Sequence, residues 1–127
     1  MNSVISAIST PYGRGGIAVI RVSGKGAIEL CDRLFQGKKP LCEVQSNKAV
    51  YGDIVCDGEV IDDGIFTLFR APRSFTGEDT VEISCHGGIL ITQKVLKATY
   101  MCGARPAEPG EFTKRAFASG RLSLSEA

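Results

Sequence analysis

The chain has 127 residues, 43% of them hydrophobic and 23% charged, with a formal net charge of +1 and no Trp. Disorder needs the opposite balance, low hydrophobicity with high net charge, so this composition specifies a folded chain, and its length suits one domain. A near-neutral chain also lacks the surplus of Lys and Arg that nonspecific DNA binding requires. Residues 4–9 read as a short strand, followed by a Gly-rich turn over 10–16. Residues 17–22, I-A-V-I-R-V, form an apolar β-branched run interrupted only by Arg21, the pattern of a buried strand with one special position. Ala27, Cys31 and Leu34 then recur at helical spacing, and that segment stops near Gly37.

Residues 48–56 and 63–70 are both strand-like and are joined through Asp57-Gly58, a favoured hairpin pair because both residues tolerate positive φ. Five carboxylates and no basic side chain lie from Asp53 to Asp63, which predicts an acidic, solvated hairpin tip and not a metal site. Pro72 and Gly77 make 71–79 a loop. Residues 80–85 alternate, with Val81, Ile83 and Cys85 on one face and Glu82 and Ser84 on the other. After His86-Gly87-Gly88, Ile91, Val95, Ala98 and Cys102 mark the apolar stripe of a helix. A punctuated stretch from Gly103 leads to a third helix, with Pro109 and Glu111 at its start and Gly120 at its end. Ser123 and Glu126 have the spacing of a capping box for a further helix, which predicts a truncated chain. The whole predicts an α+β (α/β) fold with a mixed five-stranded sheet and packed helices.

The cysteines, Cys31, Cys42, Cys56, Cys85 and Cys102, are odd in number, form no C-x-x-C pair and sit mostly among apolar neighbours. They read as buried, reduced thiols of a reducing compartment and not as zinc ligands. Residues 3–9 lack the basic lead of a signal peptide, and no apolar run approaches the roughly 20 residues of a membrane span, so a cytoplasmic protein is expected.

Nucleotide motifs fail on spacing. Gly24-Lys25 is followed by Gly26 where a phosphate loop needs Ser or Thr, Ala18 stands where a dinucleotide fingerprint needs its third Gly, and Asn47-Lys48 is followed at position 50 by Val where a guanine-specificity motif needs Asp. His86, the sole histidine, cannot pair with the adjacent Cys85, whose side chain leaves the strand on the other face. It reads as a turn histidine bonded to local backbone, with ligand contact as the alternative. Arg21 and Glu82 are charges within otherwise apolar or alternating strands, where each is costly unless paired or met by a ligand. The residues alone leave a structural Arg21–Glu82 ion pair and a ligand site equally open.

Four spaced segments, residues 8–24 (I-S-T-P-Y-G-R-G-G-I-A-V-I-R-V-S-G), 74–79 (S-F-T-G-E-D), 85–88 (C-H-G-G) and 104–117 (A-R-P-A-E-P-G-E-F-T-K-R-A-F), closely resemble the amino-terminal domain of the MnmE (TrmE) family of tRNA-modification GTPases, and the resemblance runs from about Val4 to Ala127. It implies a cytoplasmic protein in which this domain is followed by a helical domain carrying an inserted Ras-like GTPase domain. With a flavoprotein partner, MnmG, such proteins install a carboxymethylaminomethyl group at C5 of the wobble uridine, U34, of certain tRNAs. The domain itself is implied to be similar in fold to folate-binding aminomethyltransferases, to form a homodimer and to bind a tetrahydrofolate derivative, 5-formyl- or 5,10-methylene-tetrahydrofolate, as one-carbon source. GTP, with Mg and K, would belong to a GTPase domain outside this chain, and no residue here is expected to be catalytic or to bind metal. The family's folate contacts map onto Arg21, Glu82 and Arg121, the last a position where relatives can carry Lys. Residues 1–119 are thus expected to be the folate-binding, dimerising domain and 120–127 the start of the helical domain. A stand-alone aminomethyltransferase-like enzyme and a ligand-free dimerisation scaffold are the alternatives. The 105–115 stretch reads as a helix cap and solvated face, against a direct role in folate or tRNA contact.

Overall fold

A computed structural model describes residues 3–10 and 16–120 of the chain. Its elements are β1 (Ile5–Ile8), β2 (Ile17–Ser23), α1 (Ala27–Asp32), β3 (Phe35–Gln36), a 3-10 turn at Leu41–Glu43, β4 (Lys48–Cys56), β5 (Glu59–Phe69), β6 (Thr80–His86), α2 (Ile89–Met101), β7 (Arg105–Pro106) and α3 (Glu111–Ala118). The strands make one sheet in the order β3-β4-β5-β6-β2-β1-β7. Every pairing is antiparallel except β1 with β7, so the sheet is mixed and the class is α+β, as expected. It has seven strands and not five. The two additional strands, β3 and β7, are two residues each at opposite edges, too short to leave a period in the sequence.

Asp57 (φ 52°) and Gly58 (φ 78°) form the two-residue turn that Asp-Gly predicted. Because β5 starts at Glu59, the acidic residues Glu59, Asp62 and Asp63 belong to a strand and not to a hairpin tip. Their carboxylates mask the alternation that would have revealed it.

Alternation elsewhere decides the two faces of the sheet. Ala18, Ile20 and Val22 of β2, Phe66 and Leu68 of β5, and Val81, Ile83 and Cys85 of β6 join Ile28 and Cys31 of α1 and Val95 and Ala98 of α2 in one core. Each fully buried Ile, Leu, Val or Phe there contributes on the order of 1.5–3 kcal/mol. Phe66 meets Phe35 edge-on at 4.8 Å. The Ser6 and Thr99 hydroxyls share a buried hydrogen bond of 2.7 Å that ties α2 to β1. Both core helices thus cover one face, and every second residue of β2 and β6 is left on the other.

All five cysteines are free thiols, but only Cys31 and Cys85 are buried. Cys56 and Cys102 are half-buried, and Cys42 is exposed on the 3-10 turn beside the buried Leu41, which corrects the expectation of five buried thiols. Burial pushes the Cys31 thiol well up and that of Cys85 up to about 11. Among the described residues no helix is long and apolar enough to cross a membrane. The expected capping box at 123–126 and Arg121 lie outside the described residues.

Candidate functional site

Arg21 and Glu82 are direct cross-strand partners on the sheet face opposite α1 and α2. The row continues through Ala7 on β1, opposite Arg21, and Thr67 on β5, opposite Glu82, so small or neutral side chains flank the two charges. Arg21 donates from Nε to Glu82 Oε2 at 3.1 Å, and its Nη2 lies 3.1 Å from the same oxygen. The pair is formed, yet the side chains remain 25% and 29% exposed. Among the described residues, Glu82 Oε1 and Arg21 Nη1 take no hydrogen bond. Among the described residues, the pair thus keeps one acceptor and one donor unspent, on side chains that are both partly exposed. The ion pair and the ligand site, which the residues left as alternatives, are compatible in this geometry, because one oxygen satisfies the arginine and the other stays open.

Two rings crowd the cation. The guanidinium carbon of Arg21 stands 5.3 Å from the centroid of Phe75 and 5.4 Å from that of Phe112, each within cation–π range. Phe75 comes from the 70–79 loop and Phe112 from α3, so three separate parts of the chain converge on one side chain. The loop is pinned to β2 by a buried hydroxyl cluster: Ser23 Oγ lies 2.6 Å from Thr76 Oγ1 and 3.0 Å from Thr80 Oγ1. The Gly24 N–H donates to Asp79 O at 2.9 Å and closes the loop's far end.

Helix α3 begins after Gly110, whose φ of 75° a glycine adopts without strain. Its first turn carries Glu111, which accepts from Arg105 at 3.1 and 2.5 Å, from the Glu108 N–H at 2.9 Å and from Arg115 at 3.4 Å. Arg105 foremost, then the Glu108 N–H, outweigh partial burial and hold the Glu111 carboxyl down at about 2. Arg115 also donates to Glu78 Oε1 at 3.0 Å, which joins α3 to the loop.

A second polar group lies at the end of β6. His86 closes the strand, and its Nδ1 is 2.8 Å from Asp62 Oδ1 while its backbone N–H donates to Asp62 Oδ2 at 2.9 Å. This corrects the reading of a turn histidine bonded to local backbone: a side chain 24 positions away in sequence, on a neighbouring strand, is its partner. The hydrogen bond to Asp62, and then that carboxylate's charge, push the His86 pKa up. Burial pushes the Asp62 pKa up, but the His86 backbone and ring bonds outweigh it and leave that pKa lowered. Asp63 receives the Tyr51 hydroxyl. The ligating atoms of Asp62, Asp63 and His86 lie within 4.8 Å of one another, already linked by these bonds. Ile17, Tyr51 and Ile65, at 64%, 65% and 43% exposure, form an apolar patch next to them.

Of the three positions expected to contact folate, then, Arg21 and Glu82 come together and Arg121 falls outside the described residues. Nothing in the sequence pattern singled out Phe75, Phe112, Glu78 or Arg115. The one available signal was an aromatic residue in each of two otherwise polar segments, 74–79 and 111–115.

The family described as GTP-binding protein TrmE N-terminus matches residues 4–121. Relatives named tRNA modification GTPase MnmE include those of Listeria welshimeri, 55% identical over 123 residues, covering 97% of this chain and 27% of the relative. That of Carboxydothermus hydrogenoformans is 52% identical over 131 residues, covering 100% and 28%. That of Staphylococcus haemolyticus is 50% identical over 125 residues, covering 97% and 27%. The chain thus spans just over a quarter of the length of the curated relatives it matches.

Proposed function

Because the chain belongs to the TrmE amino-terminal-domain family, we propose that it is the folate-binding, dimerising domain of a tRNA-modification GTPase. In this reading a tetrahydrofolate derivative, 5-formyl- or 5,10-methylene-tetrahydrofolate, binds at Arg21, Glu82 and Arg121. The full protein, working in the cytoplasm with the flavoprotein MnmG, adds a carboxymethylaminomethyl group at C5 of U34. GTP hydrolysis, with its Mg and K, belongs to a domain outside this chain.

The observation that carries the reading is the partly exposed Arg21–Glu82 pair on the face opposite α1 and α2, with Oε1 and Nη1 unspent among the described residues. A pterin offers an amino group and a ring N–H that a carboxylate oxygen accepts, and polar ring atoms or a glutamate tail that a guanidinium N–H reaches. Neither partner has to leave the other for this. The apolar patch of Ile17, Tyr51 and Ile65 on the same face supports self-association, since burying such area between two copies removes it from water.

The test is calorimetric titration with 5-formyltetrahydrofolate while light scattering reports the assembly state. The purified protein should bind as a dimer, and Glu82→Ala and Arg21→Ala should each weaken binding by about tenfold or more, the loss expected for a charge-assisted hydrogen bond. Undiminished binding by Glu82→Ala refutes the assignment. A dimer that binds no folate leaves the ligand-free scaffold, and turnover of a folate adduct without MnmG leaves the stand-alone transferase.

A further inference from the structure

We propose that residues 75–78 and the first turns of α3 form a clasp that positions Arg21 for its ligand, with Phe75 and Phe112 as positioning residues and Glu78–Arg115 as the fastener. The inference rests on the folate reading of this site and adds four residues to it.

The two halves of the clasp have matching layouts. On the loop, Phe75 precedes Glu78 by three positions, and on α3, Phe112 precedes Arg115 by three, which puts the latter two on one side of the helix. The aromatic members both meet Arg21, at 5.3 and 5.4 Å, and the charged members meet each other at 3.0 Å. The fastener is better shielded than the pair it serves: Arg115 is 12% and Glu78 24% exposed. Each half is anchored separately. Ser23, two residues along β2 from Arg21 and on the same face, bonds Thr76 at 2.6 Å and reaches Glu78 Oε1 at 3.4 Å. Arg105 holds α3 through Glu111 at 2.5 Å.

A half-exposed arginine on an open sheet face would ordinarily sample many rotamers and lose that freedom on meeting a ligand. Here Nε and Nη2 are committed to Glu82 and two rings lie against the cation, so Nη1 is the group left to meet a ligand, in a fixed place. Pre-organisation of this kind raises affinity without a new contact to the ligand.

The test compares variants that keep a ring with variants that keep only apolar bulk. Phe112→Leu and Phe75→Leu should each weaken 5-formyltetrahydrofolate binding roughly 3- to 30-fold, while Phe112→Tyr and Phe75→Tyr retain affinity within about twofold. Arg115→Met, which opens the fastener without touching either ring, should weaken binding by a similar factor. It also keeps the test decisive should a Leu variant fail to fold. An independent readout is the ring-current displacement of the Arg21 side-chain proton resonances, full in the parent and the Tyr variants and reduced in each Leu variant, which keeps one of the two rings. If the parent binds folate and the Leu and Arg115→Met variants bind as tightly, the clasp is overturned and the folate site stands. If the parent binds no folate, the ligand reading itself is overturned and the clasp's role with it.

Discussion

Replacing Glu111 by Gln removes the carboxylate at the hub of α3, where Arg105, Arg115 and the Glu108 N–H converge. Arg105 above all holds that carboxyl at about 2 against an ordinary 4.5. The fall of roughly 2.5 pH units caps the charge-dependent stabilisation at about 3 kcal/mol. Arg105 is 41% exposed, and water screens part of its attraction, so the expected loss is about 1–2 kcal/mol. A carboxyl whose pKa is depressed by folding stabilises fully above its unfolded pKa, near 4.5, and that stabilisation vanishes as the pH falls toward 2. Urea unfolding of the parent and Glu111→Gln should therefore differ by about 1–2 kcal/mol near pH 7, with the gap narrowing below about pH 4.5. A gap that stays constant from about pH 7 to about pH 3 refutes the assignment of the effect to the carboxylate's charge.

Gly64→Ala should cost about 2–4 kcal/mol and lower the unfolding temperature by about 10 °C in calorimetry, because its Cβ would stand 2.1 Å from Ser84 O and a backbone atom cannot rotate aside. An unchanged unfolding temperature would mean that β5 and β6 are not packed this closely at that point. His86 should titrate in NMR above its ordinary 6.5 and return toward it in Asp62→Asn, since the Asp62 hydrogen bond and charge favour the imidazolium. Its pairing stabilises the fold fully below 6.5 and is lost as the pH rises through the raised value, so an unshifted midpoint in Asp62→Asn contradicts the pairing.

The hydrophobic period carried the central architecture. Ile20 and Val22, Val81 and Ile83, and Val95 and Ala98 lie in the core where their spacing put them, because burial is decided residue by residue along a strand or a helix face. The same logic made Arg21 and Glu82 conspicuous, as charges out of period in strands otherwise given to packing. It had nothing to say about β3 and β7, which at two residues each have no period. The acidic residues of β5 were misplaced for a related reason, since charge hid the alternation of a strand held by its neighbours.

From its own order of residues, this chain determined which positions turn inward, where the Asp57-Gly58 hairpin reverses, and which two charges need an explanation. Only the tertiary structure decided what those charges meet. The register of β2 against β6 sets Arg21 opposite Glu82, and the return of α3 brings Phe112 to a guanidinium that Phe75 reaches from the loop. These contacts join residues 54 to 91 positions apart, and a local pattern carries no information about such distances, because they depend on how separately formed elements pack.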